Sequence, residues 1–192
     1  MLRRLIPLTV ICTLVAAGVA KSTTVIPPSF DALVSTANTI FVGEVMNVRS
    51  DWEITPGGRA IVTNVTFRVE DVWKGRVGAV TQLEFLGGTV GDIGLRVEGM
   101  PTFIMGQRDV LFVEGAARAV SPLVGFMHGR MRVERDAVSG VDRVRTFDGR
   151  ALGSVAQIGP QRAPASLASI APMRLADLAS AVRSRISAAR QR

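Results

Sequence analysis

The sequence predicts a mainly β protein: a small antiparallel OB-like barrel carrying a short N-terminal helix and a C-terminal helix. Three observations predict it. Across residues 60–72, Ile61, Thr63, Val65, Phe67 and Val69 alternate with Val62, Asn64, Thr66, Arg68 and Glu70, which is the period of a half-buried strand. Between Leu83 and Glu114, short apolar runs are punctuated by Gly87, Gly88, Gly91, Gly99 and Gly106, the pattern of sharp turns between strands. About seven short strands follow from such punctuation, and curling them into a closed or nearly closed barrel removes the edges a small sheet exposes. A sandwich is the alternative architecture.

Taken in order, the chain begins with a basic Met1-Leu2-Arg3-Arg4, an apolar run from Leu5 to Ala17, and the small residues Gly18-Val19-Ala20. This is the grammar of a cleaved signal peptide over 1–20. The run is short for a membrane span and Pro7 interrupts it, so export to the periplasm or beyond is expected. Cys12 follows the bulky Ile11, which does not suit a lipobox, and no other cysteine exists. A mature chain starting near Lys21 then has neither a disulfide nor a thiolate metal ligand.

A linker over 21–28, with Pro27-Pro28, leads into a helix over 29–38. Ser29 caps it, Asp31 meets the helix dipole, and Phe30, Leu33, Val34 and Ala37 share one face. The first strand spans 39–48, with Gly43 suited to a bulge, and a turn over 51–59 carries Pro56-Gly57-Gly58. The alternating strand 60–72 ends at Trp73-Lys74-Gly75, with Trp73 placed over the barrel mouth. Further strands are expected near 79–86, 94–98, 109–114, 119–123, 129–135 and 143–147, which sets the barrel domain at 29–148. An Ala/Pro/Ser-rich linker follows over 149–171, and a basic amphipathic helix over 172–192 with Pro172 in its first turn. Leu175, Leu178, Val182 and Ile186 form its stripe. Arg174, Arg183, Arg185, Arg190 and Arg192 supply charge, so it either docks on the barrel or lies on an anionic surface.

Composition limits the functions. The chain carries a formal charge of +7, but lysine occurs only at Lys21 and Lys74, and an arginine excess of this kind accords with GC-rich codon usage. Aromatic residues are 5% of the chain and tyrosine is absent, whereas single-strand binders stack bases on exposed rings; nucleic acid is not expected as a partner. His128, the sole histidine, has no cysteine to share a zinc ion with and no nominated nucleophile, so its expected role is structural. The stretch Gly87-Gly88-Thr89-Val90-Gly91 lacks the Gly-Lys-Ser/Thr ending of a phosphate loop. Glu44, Glu84 and Glu98 are expected on solvated strand faces, and Asn64-Val65-Thr66 matches a glycosylation sequon but sits mid-strand and is discounted. No catalytic, cofactor-binding or metal-ligating residue is assigned. The chain is expected to be a non-enzyme.

One resemblance adds to this reading. It rests on Phe41-Val42-Gly43-Glu44-Val45, on Thr63 through Gly75, on Leu86-Gly87-Gly88-Thr89-Val90-Gly91, on Gly99-Met100-Pro101-Thr102-Phe103 and on Gly106 to Phe112. In the order and spacing of these motifs, residues 29–147 resemble a group of exported bacterial proteins of uncharacterised function. Their barrel is similar to the netrin-like domain of metalloprotease inhibitors, and some accompany matrixin-like proteases. The resemblance implies a binding role toward an exported protein such as a protease. Animal inhibitors of that fold chelate zinc through an N-terminal cysteine, which the expected mature chain lacks, so no inhibitory residue carries across. The other partner expected from the residues is an anionic envelope lipid or polymer, held by the C-terminal helix.

Overall fold

The structure is a computed structural model that describes residues 26–115, 120–160 and 171–191. The expected signal peptide, Cys12 and residues 21–25 of the first linker lie outside the described residues. Among the described residues there are eight strands and two α-helices: α1 (Phe30–Thr36), β1 (Thr39–Thr55), β2 (Gly58–Lys74), β3 (Val80–Leu86), β4 (Gly88–Val90), β5 (Ile93–Leu95), β6 (Arg108–Val113), β7 (Arg130–Arg135), β8 (Asp142–Thr146) and α2 (Leu175–Arg190). The protein is mainly β and its main sheet is wholly antiparallel, in the order β3-β2-β1-β6-β7-β8. The ring of strands is not closed. Arg150, Ala151, Met173 and Arg174 take up the β8 edge, with isolated bridges from Arg143 to Arg174 and from Arg145 to Ala151, so β8 does not meet β3.

Local chemistry sets the elements. Ser29 Oγ accepts the Ala32 N–H at 3.2 Å at the start of α1, and Leu33 and Val34 are buried on its inner face. At its far end the Lys74 ammonium donates to the carbonyls of Val34 and Ser35, which α1 leaves free. In β1 the register slips between Val42 and Gly43 and again between Val45 and Asn47, and these bulges bend the long β1–β2 ribbon. The ribbon runs further than expected. The ladder continues to Thr55 opposite Gly58, so the nine-residue turn reduces to Pro56-Gly57, because Asp51 to Thr55 keep a strand-like alternation and Arg59 stacks 4.6 Å over Trp52.

Three other expectations change. Of the expected strand 119–123, residue 119 lies outside the described residues, and Leu123 makes only a bridge to Val113. The described part of the second linker packs rather than hangs free: Leu152 is buried and its carbonyl accepts the Met173 N–H at 2.7 Å. Pro172 precedes α2 instead of opening it, because Met173 is held in extended pairing with Val144.

The sheet is buried on both faces. On one side α1 and α2 cover Ile40, Val42, Val110, Phe112 and Val144; on the other, the curl of the strands encloses Phe41, Val45, Val65, Phe67, Phe85 and Leu111. Successive residues of β6 therefore feed different cores, as strand alternation requires. Trp73 belongs to the helix-side core rather than to the barrel mouth, with its indole N–H on Asp71 Oδ2 at 2.8 Å. Gly75 ends β2 with φ +75°, where a Cβ would stand 2.4 Å from the Asn38 carbonyl oxygen.

The C-terminal helix docks. Leu178, Ala179 and Val182 are buried, and Arg185 and Arg183 reach Asp31 at 2.6 Å and Asp71 at 3.3 Å. The exposed ion pairs add little, so the apolar stripe carries the docking. Leu178→Ala is expected to lower stability by roughly 2–5 kcal/mol, read as a shift of the urea midpoint at unchanged slope.

Candidate binding surface

The residues that stand out are apolar and exposed. Gln107 donates its N–H to the Ile104 carbonyl at 3.1 Å, closing a four-residue turn whose third position is Gly106 at φ +78°. Such a turn needs glycine there and ordinarily places polar residues at its tip. Here the tip carries Ile104 and Met105, which are 69% and 66% exposed. Met46, the extra residue of β1 between Val45 and Asn47, is also exposed and follows Val45, which bonds the turn.

The turn is held from three sides. Gly106 N–H donates to the Val45 carbonyl at 2.8 Å and Val45 N–H to the Gln107 carbonyl at 2.9 Å, extending the β1–β6 ladder into the turn. Phe103 plugs the curl, with its ring 5.5 Å from Phe67 and 4.9 Å from Phe85 between centroids. Arg130 stacks 4.4 Å over the outer face of Phe103, donates from Nη1 to the Thr102 carbonyl, and donates from Nε to Asp109 Oδ1 at 2.9 Å. Asp109 and Arg130 are 0% and 2% exposed. Burial pushes the Asp109 carboxyl up, against the pull of Arg130 and Arg132. Around the patch the nearest charges are already paired, Arg68 with Glu44 and Arg108 with Glu70 and Asp142.

Two clefts flank this framework. One, of about 900 Å³, opens at the mouth of the curl between Phe85, Leu95, Met100, Phe103, Met127 and Phe147, with Arg130 in its wall. Its floor is tight: the Ser50 and Thr63 hydroxyls lie 2.8 Å apart, Thr63 donates to the Gly87 carbonyl at 2.6 Å, and a Cβ on Gly88 would fall 2.3 Å from both hydroxyl oxygens. The other, of about 510 Å³, lies along β3 between Ile54, Leu83, Leu86, Val113 and Val120.

Of the residues singled out in the sequence, Gly87, Gly88, Thr89 and Glu98 line the larger cleft and Glu84 the smaller one, and none lies on the Ile104–Met105 turn. Gly87 to Gly91 feed the small β4–β5 hairpin and open no helix. Glu44 pairs with Arg68, while Glu84 and Glu98 are exposed. Asn64 is tied between Glu53 and Gln82 at 2.9 and 2.7 Å. His128 stands edge-on to Phe147 at 5.1 Å in a short 3-10 turn, and burial, its largest influence, lowers its pKa.

That shift has a sign. A histidine whose folded pKa lies below its ordinary 6.5 binds its proton more readily when unfolded, so it subtracts stability as pH falls through that window. The native protein is therefore expected to lose stability on going from about pH 7 to about pH 5, and His128→Gln to flatten that part of the profile in denaturation midpoints.

Among the described residues no three His, Cys, Asp or Glu side chains gather as a metal site, and no helix is long and apolar enough to cross a membrane. No family model, curated protein or solved structure matches the chain.

Proposed function

We propose that the chain is an exported, non-enzymatic binding protein whose partner is another exported protein, with a secreted metalloprotease as the first candidate. The observation that carries this reading is the Ile104–Met105 turn: large apolar side chains at a tip that is anchored at Phe103, hydrogen-bonded to β1 and braced by Arg130. Holding an apolar tip in one conformation removes ordering cost from association, which suits insertion into a pocket of a partner. The protease assignment draws on the resemblance of residues 29–147 to exported bacterial proteins whose barrel is in turn similar to the netrin-like domain of metalloprotease inhibitors.

The alternative, an anionic surface held by the C-terminal helix, draws less support. The stripe of α2 is spent on docking, and the charges beside the exposed turn are paired with carboxylates instead of being free for lipid. The test is inhibition and binding of a purified matrixin-like protease from the exported fraction, with the native chain and with Ile104→Asp and Met105→Asp. Binding by the native chain and its loss in both variants supports the reading. Equal binding by all three contradicts it.

A further inference from the structure

We propose that the outer edge of β3 takes up an extended, basic segment of another polypeptide as an added strand. Three backbone bonds fix which way β3 faces. The Ala79 carbonyl accepts from Val69 N–H and Gly87 N–H donates to the Ile61 carbonyl, both toward β2, whereas Leu86 N–H points away and donates to the Val120 carbonyl. Antiparallel strands send alternate residues to alternate sides, so Val80, Gln82 and Glu84 turn their N–H and C=O groups outward with Leu86. The bond to Val120 closes the row at Leu86. The outward backbone groups of the three residues before it meet no partner among the described residues.

The edge is open to addition. β3 pairs with β2 in unbroken register from Val80 to Leu86 and contains no proline, lysine, arginine or bulge, the devices that ordinarily blunt an edge. The opposite edge, β8, is taken up by Ala151 and Arg174. Each of Val80, Gln82 and Glu84 offers one donor and one acceptor, so a strand of about five residues pairs along this row without reaching Leu86.

Charge selects the occupant. The protein carries +7 overall, yet the cleft along β3 holds Glu53 and Glu84 and no lysine or arginine. Neither glutamate has an ion-pair partner among the described residues; Glu53 accepts only from the Asn64 amide, at 2.9 Å. A second copy would set these carboxylates against each other, whereas a basic strand supplies the missing counter-charge. The rest of the surface is apolar, with Val80 62% exposed and Ile54, Leu83 and Val120 along the cleft. In antiparallel addition the first residue of the incoming strand stands opposite Glu84, the third opposite Gln82 and the fifth opposite Val80, so the fitting order is basic, polar, apolar at alternate positions. No residue of the Ile104–Met105 turn lines this cleft.

The test is fluorescence anisotropy with a synthetic peptide, Arg-Val-Thr-Val-Val, blocked at its N-terminus and carrying fluorescein at its C-terminal end. Saturable binding with a dissociation constant on the order of 10–500 μM is expected for so short a strand. N-methylation of the central threonine deletes the N–H that meets the Gln82 carbonyl and should weaken binding at least roughly tenfold. N-methylation of the second residue, whose N–H points to solvent, should change it less than roughly threefold. Glu84→Lys should weaken the arginine peptide roughly 3- to 10-fold and tighten one that begins with glutamate, both effects shrinking as salt rises. Absence of saturable binding overturns the proposal, and an edge already filled by this chain or by a second copy gives that result. Equal loss from the two N-methyl groups, or indifference to Glu84→Lys, overturns it as well.

Discussion

Replacing Arg130 by methionine is expected to cost about 3–5 kcal/mol of stability, because it leaves the wholly buried Asp109 carboxylate without its hydrogen-bonded counter-charge. The loss should depend on pH. Burial already raises the Asp109 pKa, so its contribution is most favourable below the ordinary 3.8 and declines as pH rises through the raised folded value. Without Arg130 most of the opposing attraction is lost, leaving Arg132, and that decline steepens as pH rises above the ordinary 3.8. The double variant Arg130→Met/Asp109→Leu removes both charges and should recover most of the loss. Chemical denaturation across that pH range reads all three proteins. Recovery in the double variant would assign the cost to the orphaned carboxylate and not to lost packing on Phe103. The functional consequence follows from the same contacts: without the Arg130 bond to the Thr102 carbonyl, the apolar turn loses one of its tethers.

Phe67→Ala is expected to cost a similar amount, about 3–5 kcal/mol. Phe67 is wholly buried, and its ring meets Phe41 edge-on at 6.1 Å and Phe103 at 5.5 Å, so truncation opens a cavity at the centre of the curl. The neighbours sit on separate strands and cannot all collapse inward. Phe103, which belongs to a loop and not to the sheet ladder, is the ring expected to move. Hydrogen exchange should therefore rise at Gly106 N–H, whose bond to the Val45 carbonyl holds the turn. Unchanged protection there would mean that Phe103 does not anchor the turn.

Much of the fold was legible in periodicity and turn chemistry. The alternation from Ala60 to Val72 marked β2, and Ser29 with Asp31 marked α1. Closure of the ring was not legible, because which strand meets which edge depends on bridges such as Arg143 to Arg174, far apart in sequence. Nor was the position of Trp73, since a residue at a strand end can turn to either face.

The candidate surface was half legible. The apolar stretch Met100 to Gly106 falls between the expected strands 94–98 and 109–114, but its rigidity comes from Phe67, Phe85 and Arg130 on other strands. Asp109 is the first residue of the expected strand 109–114, with no buried role expected of it. A signal existed: it shares strand parity with Leu111 and Val113, which face the inner core, so a carboxylate at that position required a buried partner.

The measurement that tests the account most directly is a pull-down from the exported fraction of the native organism. The bait is the chain from Lys21 onward, beside its Ile104→Asp variant, at low and at raised salt. The account predicts a stoichiometric protein that survives raised salt on the native bait and is absent from the variant, because an apolar tip in a pocket is little screened by ions. Capture of anionic lipid or polymer alone, released by salt and equal on both baits, would contradict it.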